Sequence, residues 1–128
     1  MKIENIVINE KIQKALEEMG FEELTQIQQE AIPHILEGKD IIAQSNTGTG
    51  KTAAFGIPVI QSIDTDVRRP QALALCPTRE LAVQVANEFK KMSKYIEGIR
   101  TVSVYGGADI RGQIDKLKGG AQIIIGTP

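Results

Sequence analysis

The sequence is poor in the side chains that build covalent and metal centres. Its single cysteine, Cys76, cannot form an intrachain disulfide or a cysteine-based metal cluster. Its single histidine, His34, is the one candidate for a Ser-His-Asp triad and leaves no second imidazole for a multi-histidine zinc site. We expect Cys76 to be a buried apolar residue at the end of a strand, and His34 to be a surface residue.

Aromatic side chains are few, and charge is balanced. Two tyrosines, three phenylalanines and no tryptophan argue against a base-stacking platform built from several rings. A formal net charge of −1 excludes a polycation that binds nucleic acid by bulk charge, but it allows a local basic site. No apolar run approaches the roughly 18 residues of a membrane span. The polar start MKIENIVINEK is unlike a signal peptide, so we expect a cytoplasmic protein.

The 128 residues, about the length of one domain, contain apolar runs at helical and at strand spacing. They predict helices over 9–19, 25–37, 51–62, 79–92 and 108–117, and strands over 40–43, 71–76, 100–105 and 121–125. Strands that alternate with helices predict an α/β fold with a parallel sheet flanked by helices. Ligands of such sheets bind beyond the carboxyl ends of the strands, where this chain has glycine and proline breaks. The sequence stops directly after a predicted strand, which indicates a truncated domain.

The segment AQSNTGTGKT, from Ala43 to Thr52, lies between a predicted strand and a predicted helix. This context is typical of a phosphate-binding loop, whose backbone N–H groups surround the phosphates. We predict that Lys51 reaches the β- and γ-phosphates and that the Thr52 hydroxyl binds Mg²⁺. Ser45 stands where the pattern G-x-x-x-x-G-K-[ST] has its first glycine. The alternative is a glycine-rich turn followed by an exposed lysine.

Five segments occur in order along the chain: GFEELTQIQ, AQSNTGTGKT, PTRELA, Gly106-Gly107 and Thr127-Pro128. Together they resemble motifs of the DEAD-box RNA helicase family. The first is GFEELTQIQ at 20–28, which resembles the Q motif, and the second is the phosphate loop described above, because this family commonly replaces its first glycine. They are followed by PTRELA at 77–82 (motif Ia), Gly106-Gly107 (the GG motif) and Thr127-Pro128 (the first half of T-P-G-R, motif Ib). The resemblance covers nearly the whole chain.

The resemblance implies a RecA-like fold truncated before its last strands, with N-terminal helices and the Q motif in 1–38 and an ATP-binding core in 39–128. It implies ATP and Mg²⁺ as cofactors, with Lys51 and Thr52 in catalytic roles. The implied nucleotide contacts are Phe21, Thr25, Gln28, Ser45, Asn46, Thr47, Gly48, Thr49, Gly50, Lys51 and Thr52. The implied RNA contacts are Pro77, Thr78, Arg79, Gly106, Gly107, Thr127 and Pro128. Such contacts go to the RNA backbone, so binding should be largely independent of base sequence.

The Q motif leaves two interpretations open. The Gln28 amide can pair with the N6 and N7 edge of adenine, but Thr25 and Gln28 also fit a capping box at the start of a helix. Phe21 can stack on adenine or pack in a helix–helix joint. The sequence departs from the family pattern at two positions, where Leu24 replaces a proline and Ile3 replaces an aromatic residue. We expect these departures to weaken adenine affinity modestly.

Motif Ia and the GG motif also have structural alternatives. Thr78 precedes the best predicted helix and offers a hydroxyl and backbone N–H groups to a phosphate, or simply caps the helix. Arg79 lies in the first helical turn, where the helix dipole disfavours a cation. That position indicates a phosphate contact or a salt bridge, with Glu80 or another carboxylate. Gly106-Gly107 permits close approach of a phosphate, or is a plain turn.

For the complete protein, the resemblance implies an ATP-dependent RNA helicase that separates short duplexes. The D-E-A-D and S-A-T motifs and a second RecA-like domain would follow Pro128, so residues 1–128 alone should bind nucleotide without hydrolysing it. Two other classes remain at this point. One is a phosphate-loop ATPase outside RNA metabolism, such as a DNA helicase or a transporter motor, and the other is a non-enzymatic nucleotide- or RNA-binding module.

Overall fold

The computed structural model describes residues 8–44, 51–107 and 109–128. The described residues form two compact units, which are treated separately below. The first contains the residues up to Ser62 together with Lys91–Ile96, and the second contains Ile63–Lys90 and Glu97–Pro128.

Three helices make up most of the first unit: α1 (Glu10–Glu18), α2 (Gln26–Leu36) and α3 (Lys51–Ser62). Their bounds confirm the predicted helices to within a residue or two. The Asn9 side chain caps α1 by accepting a hydrogen bond from the backbone of Lys11 at 2.8 Å. Helix α2 packs against α3. The buried apolar residues of these elements recur at helical spacing and include Ile12, Ala15, Leu16, Ala31, Ile32, Ala53, Ala54, Ile57 and Ile60.

The predicted strand over 40–43 is wrong. Residues 39–44 have no regular secondary structure, and the side chain of Ile42 is fully exposed. An apolar, β-branched run carries only a weak preference for extended backbone, and a strand exists only where a neighbour accepts its hydrogen bonds. The three strands of the described residues pair with one another and not with this segment.

The second unit is built on a parallel sheet. Strands β1 (Ala72–Leu75), β2 (Thr101–Val104) and β3 (Ile123–Gly126) confirm the other three predicted strands. Their order in the sheet is β1-β3-β2, and both pairings with β3 are parallel. The carboxyl ends of all three strands therefore lie at one edge of the sheet, which is the edge where parallel sheets bind their ligands.

Two helices follow strands of this sheet. Helix α4 (Arg79–Met92) begins four residues after β1, and α5 (Ile110–Lys118) follows β2 and contacts it. The Asp109 side chain caps α5 by accepting from the backbone of Arg111 at 3.1 Å. Gly120 ends the helix with a φ of +98°, which confirms the predicted helix stop at the Gly119-Gly120 pair.

Candidate nucleotide and nucleic-acid sites

The predicted phosphate loop lies only partly within the described residues. Its central contacts, Ser45, Asn46, Thr47, Gly48, Thr49 and Gly50, fall outside them and stay predictions. Lys51 and Thr52 are the first two residues of α3, Lys51 exposed and Thr52 half-buried. The backbone N–H groups of a helix's first turn have no acceptor within the helix, and the helix dipole there attracts anions. The two residues thus stand at a helix end suited to a phosphate group.

Next to Lys51 is a hollow of about 320 Å³. Among the described residues that line it, Lys51 is the charged one, and the others are Ile27, Ala31, Ile35, Ile41, Ala43, Ala54 and Phe55. The described lining is therefore apolar apart from the Lys51 ammonium.

The capping box predicted for the Q motif is present. The Thr25 hydroxyl accepts from the Gln28 N–H at 3.4 Å, and Gln28 Oε1 accepts from the Thr25 N–H at 2.9 Å. Gln28 is completely buried. An adenine contact through its amide stays a prediction, and it requires that amide to become accessible. Leu24, where the family has proline, is 4% exposed and belongs to the buried core.

Phe21 follows the glycine that ends α1, and its ring is half-buried. Gly20 has a φ of +91°, and the Phe21 N–H donates to the Leu16 carbonyl at 2.9 Å. These features are the ordinary end of a helix. They orient the Phe21 backbone without deciding between adenine stacking and packing for its ring.

The residues predicted to contact RNA converge at the carboxyl edge of the sheet. The ladder continues one residue past the strands, since the Cys76 N–H donates to the Gly126 carbonyl at 2.8 Å and the Thr127 N–H donates to the Val104 carbonyl at 3.1 Å. Motif Ia, the GG motif and motif Ib therefore follow three adjacent strands. We call this group the strand-end cluster, and it comprises Thr78, Arg79, Tyr105, Gly106, Gly107 and Thr127.

Arg79 is exposed, and its guanidinium lies over the ring of Tyr105, 5.4 Å from the ring centroid. This is cation–π geometry. Arg79 takes part in neither of the two ion pairs found among the described residues, Lys39 with Glu37 and Lys94 with Glu18. Among the described residues the structure thus does not bear out the salt bridge that the sequence left open, and the phosphate contact of Arg79 stays a prediction.

Thr78 caps α4. Its Oγ1 accepts from the Leu81 N–H at 3.1 Å, and its carbonyl accepts from the Ala82 N–H at 3.0 Å. A threonine hydroxyl that accepts one hydrogen bond still has its own proton to donate. The cap and a phosphate contact are therefore compatible. Pro77 and Pro128 are exposed, and their predicted RNA contacts stay predictions.

The two glycines of the GG motif differ in what they require. Gly107 has a φ of +80°, which favours glycine, and a Cβ built on it would lie 3.8 Å from Arg79 Nη1. Gly106 does not have a positive φ, and a Cβ built on it would meet no atom within 4 Å. The backbone conformation of the turn therefore explains why position 107 is glycine, whereas nothing in the described part of the chain explains why position 106 is glycine.

Sequence reasoning missed two residues of this region. Gln113 Oε1 accepts from the Tyr105 N–H at 2.8 Å, and its Nε2 donates to the Tyr105 carbonyl at 3.1 Å. Tyr105 could have been noticed because it directly precedes the GG motif. Gln113 had no sequence signal, since a glutamine on a short polar helix is usually a solvent-exposed residue.

Cys76 is 6% exposed, as expected, and burial raises the pKa of its thiol. A thiol of this kind is a poor nucleophile. His34 is exposed. In the part of the chain that the structure describes, no helix is long and apolar enough to cross a membrane.

Comparison with known proteins decides the family. A family model described as DEAD/DEAH box helicase matches residues 25–128. The chain belongs to this family. Membership confirms the resemblance to the DEAD-box helicase family.

Curated relatives in the DEAD/DEAH family are longer proteins. The chain is 53% identical over 127 residues to the ATP-dependent RNA helicase CshA of Listeria monocytogenes, covering 99% of this chain and 24% of that protein. It is 50% identical over 121 residues to the DEAD-box ATP-dependent RNA helicase CshA of Bacillus cereus, covering 94% and 23%. The chain thus spans about a quarter of the length of the curated relatives it matches.

Solved structures in the family confirm the predicted RecA-like α/β fold. A crystal structure of a DEAD box protein from Methanococcus jannaschii matches with a TM-score of 0.93 and 40% identity, covering all of this chain and 35% of that one. A hypothetical ATP-dependent RNA helicase from Sulfolobus tokodaii matches with a TM-score of 0.84 and 37% identity, covering 94% and 34%.

Proposed function

We propose that this chain supplies nucleotide and RNA binding to an ATP-dependent RNA helicase, with ATP at the start of α3 and the RNA backbone at the strand-end cluster. The observation that carries the RNA part is the convergence of three segments, 77–79, 106–107 and 127–128, at one edge of a parallel sheet. The segments 77–79 and 127–128 are far apart in sequence, yet they follow adjacent strands there. Curated relatives that cover nearly the whole chain are named as ATP-dependent RNA helicases, which supports the proposal.

The cluster offers groups that bind a phosphodiester rather than a base. Arg79 contributes a cation, the start of α4 contributes backbone N–H groups, and Thr78 contributes a hydroxyl proton. None of these groups distinguishes one base from another, so binding is largely independent of RNA sequence. The 2′-hydroxyl is what marks RNA at such a site, and hydroxyl and backbone groups can contact it.

At the nucleotide site, Lys51 neutralises phosphate charge and Thr52 offers one oxygen to Mg²⁺. Mg²⁺ bound with a nucleotide commonly takes one or two protein oxygens and fills its other positions with phosphate oxygens and water, so a single threonine hydroxyl fits this role. Hydrolysis also needs carboxylates that hold the metal and orient the attacking water. The 128 residues contain no D-E-A-D stretch, so we propose that this chain alone binds ATP and hydrolyses it at background rate.

The proposal includes a second RecA-like domain that completes the RNA site, the unwinding of short duplexes, and a cytoplasmic location. The division of the chain into 1–38 and 39–128 is part of the same proposal.

We expect Arg79→Ala to weaken RNA binding by about threefold to tenfold and to lower the slope of log affinity against log salt by about 0.7 to 1. A phosphate-contacting cation that is removed no longer displaces a counterion from single-stranded RNA. Fluorescence anisotropy with labelled 12-nucleotide RNAs of different base composition, titrated at several salt concentrations, measures both quantities. Loss of affinity equal for all sequences supports backbone binding. An unchanged salt slope, or a wild-type chain that does not bind RNA, would overturn the proposed RNA site.

The two glycines provide a second test. We expect Gly106→Ala to leave the melting temperature unchanged and to weaken RNA binding, because the methyl group occupies open space that a phosphate would approach. Gly107→Ala should instead cost about 1 kcal/mol of stability, since alanine at a φ of +80° is strained. Thermal melting and RNA titration of both variants separate the two effects. Normal RNA affinity in Gly106→Ala would show that RNA does not approach the chain at this turn.

A further inference from the structure

We propose that Gln113 is a positioning residue for RNA binding: it fixes the backbone of Tyr105 and, through the Tyr105 ring, the guanidinium of Arg79. This inference rests on the proposed RNA site at the strand-end cluster. It adds a residue that lies outside motif Ia and the GG motif and does not itself contact RNA.

The evidence begins with the hydrogen bonds of one side-chain amide. Gln113 hydrogen-bonds both backbone groups of a single residue, accepting from the Tyr105 N–H at 2.8 Å and donating to its carbonyl at 3.1 Å. The same Nε2 reaches the Asp109 carbonyl at 3.4 Å. Asp109 caps α5, so the amide ties the start of this helix to the loop before it.

Tyr105 needs such a partner because it stands just past the end of its strand. Strand β2 ends at Val104, whose carbonyl accepts the bond from the Thr127 N–H. Backbone groups just past the end of a strand are no longer paired within the sheet. Where they are half-buried they need other partners, since an unpaired buried N–H or carbonyl is costly. The Gln113 side chain takes the place that a neighbouring strand would have.

Fixing Tyr105 also affects its neighbours in the cluster. The Tyr105 ring lies 5.4 Å from the Arg79 guanidinium, and Gly106 follows Tyr105 directly. An exposed arginine has many rotamers, and restricting them before RNA arrives lowers the entropy lost on binding. Removing the Gln113 amide should free the loop, the ring and then Arg79.

The chain supplies a matched control in Gln71. Its amide forms the same pair of hydrogen bonds with a residue of another loop: it accepts from the Asp64 N–H at 2.9 Å and donates to the Asp64 carbonyl at 2.9 Å. It also reaches the Val67 carbonyl at 3.1 Å. Gln71 lies before β1, at the amino end of the strand, so Gln71→Ala removes an equivalent clamp away from the carboxyl edge of the sheet.

The test is a double-mutant cycle on RNA affinity. We expect Gln113→Ala to weaken binding of a labelled 12-nucleotide oligouridylate by about threefold to tenfold, the equivalent of one neutral hydrogen-bond contribution. Gln71→Ala should leave the RNA affinity unchanged while lowering the melting temperature about as much as Gln113→Ala lowers it. In an Arg79→Ala background, Gln113→Ala should cost little further affinity, because the two residues act through one group.

Two outcomes would overturn the inference while leaving the proposed function intact: unchanged RNA affinity in Gln113→Ala, or the same loss with and without Arg79. A wild-type chain that binds no RNA would instead overturn the proposed RNA site and this inference with it. If Gln113→Ala unfolds, Gln113→Glu replaces it, because a carboxylate still accepts from the Tyr105 N–H but cannot donate to its carbonyl. Because its second carboxylate oxygen faces the Tyr105 and Asp109 carbonyls, we expect this variant to lose at least as much affinity, with the same dependence on Arg79.

Discussion

Lys51→Ala is expected to weaken ATP binding by about tenfold to a hundredfold. A lysine that bonds phosphate oxygens contributes a charge-assisted hydrogen bond, commonly about 1.5–3 kcal/mol. Lys51 is exposed and stands in the first turn of α3, where the helix dipole disfavours a cation. Its removal should therefore leave the free energy of unfolding unchanged or slightly higher. This combination of lost binding and retained stability is the signature of a ligand-binding lysine.

Isothermal titration with Mg²⁺ and ATP measures the affinity, and circular dichroism melting measures the stability. Lys91→Ala is the matched control, because Lys91 is also an exposed helical lysine but lies in the last turn of α4. It should bind ATP as the wild type does. Equal affinities for wild type and Lys51→Ala would support the alternative of a simple glycine-rich turn with an exposed lysine.

Gly126→Ala is expected to destabilise the second unit by about 2 kcal/mol, in the range of overpacked core substitutions. A Cβ built on Gly126 would lie 2.8 Å from the Val104 carbonyl oxygen, closer than any relaxed contact allows. That oxygen belongs to the backbone of β2 and also accepts from the Thr127 N–H, so it cannot move without loosening the pairing of β2 with β3. We therefore expect a fall of several degrees in melting temperature.

Gly119→Ala is the control for this effect. A Cβ built there would lie 2.7 Å from Arg100 Nη1, which is just as close, but the neighbour is the flexible end of a side chain. Gly119 also has an ordinary helical φ of −70°. Its substitution should change the melting temperature little. Similar melting temperatures for Gly126→Ala and the wild type would show that the carboxyl ends of β2 and β3 are not held as closely as described.

Local patterns predicted most of the secondary structure. The bounds of α3 and α4 agree with the predicted 51–62 and 79–92, because their apolar residues recur at helical spacing. A polar loop also follows α3, and a proline precedes α4. The capping box of Thr25 and Gln28 was also predicted from the sequence, since both partners lie within four residues of each other. Such features depend on the neighbouring residues alone.

The strand prediction over 40–43 was wrong because strand formation depends on residues far away in the chain. A strand is defined by a partner that can lie anywhere in the chain, and Ile41 and Ile42 carry no information about whether that partner is present. The run 121–125 was equally short and apolar, yet it became the central strand because β1 and β2 both pair with it. Composition could not distinguish the two segments.

The family motifs supplied the predicted ligands and most of the predicted site residues. They did not reveal how Arg79 is held, because Tyr105 and Gln113 lie 26 and 34 residues further along the chain. The Tyr105 ring meets Arg79 because both follow strands that end at one edge of the sheet, and Gln113 meets Tyr105 because α5 packs beside β2. No local spacing encodes either contact.

The sequence alone determined where helices begin and end, which residues are apolar, and which motifs could bind phosphate, because these depend on residue type and short-range spacing. The tertiary structure decided which apolar runs became strands and that three distant motifs share one sheet edge. It also decided that Arg79 faces a tyrosine ring instead of a carboxylate. These outcomes follow from parallel pairing and helix packing, in which the energy of a residue depends on partners far away in the chain.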